Sequence, residues 1–200
     1  MLVEGIKSRP VYAPLTPRPG CLHLVVANDE GALAVADLAA AAPDGFLTRM
    51  RIIYVPGGSA SADHGARLGS LGAASFTQVT SDSVAMAAFG EALAEARMGT
   101  QVYAAGTENL IGQVVEEALA AGLELGAIGA EHRGSLERRV QCVHCKAITE
   151  HVTSQPVTCS GCGLALLVRD HFSRRIGAFQ GVCIDAEEPG TAPRPRAVFA

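Results

Sequence analysis

Four cysteines carry the clearest chemistry in this sequence. Cys142 and Cys145 form one C-x-x-C pair, and Cys159 and Cys162 form a second one thirteen residues further on. Each such turn aims two sulfurs at one point, and four thiolates at ~2.3 Å complete a closed tetrahedral shell of the kind zinc takes. Ser160, Gly161 and Gly163 are small enough to let backbone N–H groups reach the sulfurs and spread their surplus negative charge, which Lys146 and Arg169 can offset further. His144 sits inside the first knuckle and His151 in the segment between the pairs; neither is expected to ligate while four cysteines are available. Two disulfides are the alternative use of these residues, and they suit a secreted chain better than one lacking a signal peptide. Iron is the alternative metal, since rubredoxin sites use similar knuckles, usually farther apart in sequence.

The remaining candidates are weaker. Arg169, His171, Phe172, Arg174 and Arg175 form a charged block near Phe179 and read either as a solvated face or as a docking surface, because arginine and aromatics are enriched at protein interfaces. Glu116-Glu117 on a helix is expected to be a solvated face, and Asp63-His64 forms no recognisable constellation. Cys21 and Cys183 are expected to be small buried hydrophobes. No nucleophile–base set is legible, so no residue is given a catalytic role.

The elements that must position these residues follow from hydrophobic period. Leu22 to Ala27, Met50 to Val55, Ser75 to Val79, Thr100 to Ala105 and Leu125 to Glu131 read as strands; Glu30 to Ala41, the segment from Ser81-Asp82 to Arg97, and Glu108 to Ala121 behind a Thr107 cap read as helices. Strand–helix alternation with few turn-type hairpins predicts an α/β fold, a small parallel open sheet with helices on both faces. Such sheets bind ligands beyond the carboxyl ends of their strands. Here the first of those ends reads Asn28-Asp29-Glu30-Gly31, two carboxylates where a phosphate cradle needs glycines. Gly57-Gly58-Ser59 is a Gly-Gly turn after a strand, either a phosphate loop or an ordinary one.

Composition sets the organisation around this. The 200 residues are 48% hydrophobic, enough for one medium domain and something smaller. Residues 1–20, with four prolines, read as an extended arm; 21–132 as the α/β domain; 133–187 as the metal module, a zinc-ribbon or rubredoxin-like fold with a strand at Leu164 to Val168; and 188–200 as a disordered tail. A module of this size sits near the limit of what a core alone stabilises, and zinc contributes roughly 10–16 kcal/mol in comparable cases. Residues 21–130 hold 12 acidic and 4 basic side chains, so a nucleic-acid surface is not expected. The absence of a long apolar run argues against a membrane span and for a cytoplasmic protein.

Several stretches carry a family likeness. Arg133-Gly134-Ser135-Leu136-Glu137-Arg138-Arg139-Val140, the two knuckles, Leu167-Val168-Arg169-Asp170-His171-Phe172-Ser173-Arg174-Arg175 and Gly181-Val182 resemble the DmmA-type subunits of dimethylamine monooxygenase. That resemblance implies a heme-dependent oxidative N-demethylase system, in which NADPH and O2 convert dimethylamine to methylamine and formaldehyde. It also implies two partners, a heme-bearing catalytic subunit and a reductase subunit with flavin and an iron–sulfur centre. Gly99-Thr100-Gln101-Val102-Tyr103-Ala104-Ala105-Gly106-Thr107 is similar to the nucleotide-binding half of ferredoxin-reductase-type flavoenzymes, which carry Cys-Gly-Pro where this chain has Ala105, Gly106 and Thr107. With that cysteine missing and the first turn acidic, the domain is expected to keep the fold without binding the cofactor. The resulting expectation is an accessory zinc-binding subunit of an oxygenase; the alternative is a rubredoxin-like iron carrier in the same kind of system.

Overall fold

The computed structural model describes residues 9–58 and 63–199. Its first half alternates as the hydrophobic pattern predicts: β1 (Leu22–Asn28), α1 (Gly31–Ala40), β2 (Met50–Val55), α2 (Gly65–Gly69), β3 (Ser75–Gln78), α3 (Asp82–Leu93), β4 (Thr100–Gly106), α4 (Glu108–Ala120) and β5 (Ile128–His132). All five strands run parallel in the order β3-β2-β1-β4-β5. Alternate residues of each strand point to opposite faces. Leu24, Val26, Val102 and Ala104 therefore pack under α3 and α4, while Val25, Ala27, Tyr103 and Ala105 pack under α1 and α2. Ser81 and Thr107 cap α3 and α4 by accepting the amides of Val84 and Leu110. Residues 56–74, expected to be loop-rich, contain α2. The last strand starts at Ile128 because Leu125–Ala127 forms a 3₁₀ turn.

Strand order reverses between β1 and β4, the point where open α/β sheets have a crevice. Asn28 closes it. Its amide Nδ2 donates to Asp82 Oδ1 at 3.2 Å and to Thr107 Oγ1 at 3.2 Å, and its Oδ1 accepts the Thr107 amide at 3.0 Å. At Gly31, the first residue of α1, a Cβ would sit 2.2 Å from the Ala105 carbonyl oxygen, so the helix start is pressed against β4. Of the Gly57-Gly58-Ser59 turn, Ser59 lies outside the described residues.

The second half is a five-stranded sheet in the order β7-β6-β11-β10-β9, built from β6 (Arg138–Cys142), β7 (Ile148–Val152), β9 (Val157–Thr158), β10 (Ala165–Ser173) and β11 (Ala178–Cys183), with β8 (Ser154–Gln155) beside it. The tail does not behave as expected. β12 (Arg196–Ala197) pairs antiparallel with β8, the amides of Val198 and Phe199 donate to the Thr153 carbonyl, and Phe199 is buried in the module core. Composition concealed this because one aromatic in a proline-rich stretch suffices when the core offers it a slot. The arm is likewise held where it is described, residues 9–20. Its Leu15 is buried, the Leu15 amide donates to Glu131 at 2.7 Å and the Arg18 amide donates to the Tyr103 hydroxyl at 3.0 Å.

The two halves share a joint. Arg138 donates to Glu108 at the start of α4 and to Asp170 of β10, at 3.1 and 2.9 Å, with all three side chains nearly inaccessible. Arg139 pairs with Glu116 of α4 and with Glu150 of β7. Glu116, expected on a solvated face, therefore faces the module. Gly112 of α4 meets Gly177 of the β10–β11 turn backbone to backbone: a Cβ on Gly112 would lie 2.3 Å from the Gly177 carbonyl oxygen. Larger side chains at either position would push the halves apart.

Candidate metal centre

The four cysteines converge. Their sulfurs lie within 4.8 Å of one another, with Cys142–Cys162 at 3.8 Å and Cys145–Cys159 at 3.5 Å. A tetrahedron with ~2.3 Å metal–sulfur bonds has edges of about 3.8 Å, so the donors are spaced for a metal and too far apart for disulfides.

The two knuckles have the same backbone construction. In the first, the Lys146 amide donates to the Cys142 carbonyl and the Cys142 amide to the Ala147 carbonyl; in the second, Gly163 donates to Cys159 and Cys159 to Leu164, all between 2.9 and 3.1 Å. Both turns end in the left-handed region, Lys146 at φ 67° and Gly163 at φ 74°. That conformation costs a non-glycine residue about 1 kcal/mol, and the Lys146 ammonium donates back to the Val143 carbonyl at 2.7 Å. Gly161 has no room for a side chain, since its Cβ would lie 2.6 Å from Ala147 Cβ and 3.1 Å from Cys145 Sγ.

The electrostatics also ask for a cation. Burial pushes the Cys159 thiol up, but the amides of Cys162 and Gly161 donate to its sulfur at 3.5 and 3.4 Å and, with the neighbouring thiols, bring it to about 6. At Cys162 the Leu164 amide favours the thiolate, yet desolvation and the other three sulfurs raise it to about 12. Four thiols this close cannot all ionise unaided. A divalent metal lets them, and no histidine is needed: among the described residues the donor cluster consists of the four cysteines, with His144 exposed and His151 paired at 3.1 Å with Glu137. Cys142 and Cys159 are buried while Cys145 is exposed, so one edge of the centre faces solvent.

The charged block lies on β10. Its Phe172 is half-buried and packs on the fully buried Phe179 of β11, with ring centroids 5.0 Å apart. Strand alternation turns Asp170 inward to Arg138 and leaves Arg169 and His171 exposed; Arg174 and Arg175 are exposed in the turn beyond. The two leftover cysteines also differ from expectation. Cys21 is exposed with its thiol 3.4 Å from the Met98 carbonyl, and Cys183 is half-buried beside Asp185.

At the sheet crevice, Asn28, Asp29 and Asp82 line an open pocket of about 310 Å³ to which Glu137 and His151 of the module add one wall. Desolvation first, then neighbouring carboxylates, raises Asp29; desolvation likewise raises Asp82. This juxtaposition was invisible in the sequence, because Glu137 and His151 are more than a hundred residues from Asn28.

Family models for dimethylamine monooxygenase DmmA-like subunits match this chain in both halves, the N-terminal domain over residues 4–128 and the C-terminal domain over residues 139–182. The chain belongs to the DmmA-like family. Among individual proteins, it is 37% identical over 103 residues to the heme-dependent oxidative N-demethylase delta subunit of Ectopseudomonas mendocina, a match covering 52% of this chain and 59% of that one. The aligned region thus spans less than two thirds of the relative. Two solved structures are loosely similar. A ferredoxin reductase of carbazole 1,9a-dioxygenase, in its FAD apo form, has a TM-score of 0.41 and 18% identity over 57% of this chain and 34% of its own. An intact type IV self-sufficient cytochrome P450 monooxygenase has a TM-score of 0.43 and 22% identity over 62% of this chain and 17% of its own. Likenesses this loose carry no functional weight. No helix among the described residues of this DmmA-like chain is long and apolar enough to cross a membrane.

Proposed function

We propose that this DmmA-like chain is an accessory, zinc-binding subunit of a cytoplasmic NADPH- and O2-dependent monooxygenase that demethylates dimethylamine, with an assembly role rather than a chemical one. The observation that carries the reading is the closed set of four cysteine donors in a module wedded to the α/β domain by the buried Glu108–Arg138–Asp170 chain. A tetrathiolate without an open position offers a substrate no coordination site, which supports a metal that serves the fold. The heme, flavin and iron–sulfur chemistry falls to partner subunits.

The α/β domain is read as a scaffold without a cofactor. Asn28 bridging the strand ends, Gly31 pressed on Ala105, and the carboxylates of Asp29 and Asp82 lining the pocket there support that reading, because a pyrophosphate needs unopposed N–H groups at that point. Arg169, His171, Phe172, Arg174 and Arg175 form the proposed partner face, with Phe172 supporting it from below. A second reading, an iron-loaded electron carrier, is favoured by the exposed edge at Cys145.

Co-expression with candidate heme-bearing and flavin/iron–sulfur subunits tests the assignment. A stable assembly that contains this chain and oxidises dimethylamine is the expected result. Full activity of the other subunits in its absence would sink it.

A further inference from the structure

We infer that the groove between the N-terminal arm, α4, β5 and the tip of the β10–β11 hairpin is a docking site for an extended acidic segment of a partner polypeptide. The inference rests on the subunit reading above and adds a location and a chemistry to it.

The groove holds a cavity of about 290 Å³. Its floor is apolar, made by Ile111 and Val115 of α4 with Ile128 of β5, and Leu125 stands 48% exposed at its edge. Arm residues form one wall, so the occupant would lie against backbone that already crosses the sheet at Leu15 and Arg18. Phe172 and Arg174 close the end nearest the module.

Charge selects the occupant. The chain carries a formal net charge of −4, yet the charged residues lining this cavity are both arginines, Arg18 and Arg174. Arg18 spends one guanidinium donor on the Gly126 carbonyl at 2.7 Å and keeps others for a ligand. Among the described residues Arg174 has no carboxylate partner within ion-pair distance, in contrast with Arg51, Arg133, Arg138 and Arg139. Two buried carboxylates adjoin lining residues, Glu131 at the Leu15 amide and Glu108 beside Tyr12, and both are already paired, with Arg133 at 2.6 Å and Arg138 at 3.1 Å. An apolar trough with unneutralised arginines suits a strand-like segment that buries one or two aliphatic side chains and sets carboxylates against Arg18 and Arg174. A basic or neutral segment would leave the guanidinium groups desolvated and unpaired.

Binding of the full-length chain to the purified heme-bearing subunit is the test, by calorimetry at low and high ionic strength with Leu125→Asp, Arg174→Glu and the remote control Arg67→Glu. Leu125 and Arg174 are exposed enough for the variants to fold, which metal content and circular dichroism verify. The expected result is affinity that falls with salt, a loss of about 30-fold or more in the two groove variants with little change in the control, and hydrogen-exchange protection of residues 111–115 and 125–130 in the complex. Wild-type binding that survives both groove substitutions, or that ignores salt, overturns the docking site and leaves the subunit assignment standing. Failure of the wild type to bind overturns both. Protection of the groove by the chain's own dimerisation would assign it to a second copy instead and also overturn the inference.

Discussion

The Arg138 guanidinium lies 4.3 Å from the centroid of the Phe199 ring and 4.0 Å from that of Phe179, so the cation that binds Glu108 and Asp170 is also sandwiched between aromatic faces. One side chain thereby ties α4, β6, β10 and the chain's last segment into a single joint. The arm reaches it too: burial and the adjacent Glu108 push the Tyr12 phenol far above its ordinary range.

Removing that cation leaves two carboxylates buried without a partner. Arg138→Met should therefore destabilise the protein by ~3–5 kcal/mol, and Phe199→Ala, which removes a buried ring along with one aromatic face, should cost a similar ~3–5 kcal/mol. Urea titrations give the values, and hydrogen exchange at Thr153 to Gln155 should rise in both variants. Equal stability of Arg138→Met and wild type would mean that the joint contributes nothing.

Metal analysis of the purified chain should find about one zinc per molecule and no visible absorption band. Cys159→Ser should release the metal and unfold the module. Because α4 packs against that module through Glu108, Gly112 and Glu116, protection should also fall in α4 while β1 and β2 stay protected. A coloured protein bleached reversibly by dithionite would instead establish the iron carrier.

His23 predicts an acid limb in stability. It is fully buried, stacked 3.9 Å from Phe46, and burial first and Arg49 second hold its pKa below the usual value. The unfolded chain takes up a proton on this residue near pH ~6.5 that the folded chain resists, so the contribution is intact above that pH and is lost as pH falls below it. His23→Phe should flatten the decline between roughly pH 6.5 and 5. Asp29 and Asp82 act with the opposite sign: burial raises both, so their contribution is present below the ordinary carboxylate range and weakens as pH rises above it. An unchanged slope in the His23→Phe variant would remove His23 as the cause.

Titration of the chain with NADPH in a calorimeter should give no heat of binding, since carboxylates beside a pyrophosphate cost ~1 kcal/mol or more per close pair. Micromolar affinity would restore a cofactor-binding role for the crevice. Asn28→Gly, which removes the bridge between β1 and β4, should lower stability without creating affinity, because Gly31 still abuts Ala105.

Sequence alone determined the features whose physics is local or periodic. The C-x-x-C spacing names the donors, because two knuckles can each aim two sulfurs at one point whatever surrounds them. Alternating apolar periods give the parallel sheet, since a strand buried on both faces and a helix buried on one leave different patterns. The tertiary structure decided what depends on partners distant along the chain. Phe199 reads as part of a disordered tail until a slot beside Arg138 is built from β6, β10 and β11. Glu116 reads as solvated until Arg139 is brought to α4, and Cys21 reads as buried until the fold leaves it exposed just before the central strand. The crevice wall added by Glu137 and His151, and the uncompensated arginines of the groove, have the same origin. Burial and charge compensation are properties of neighbours in space, and the folded chain alone sets which neighbours those are.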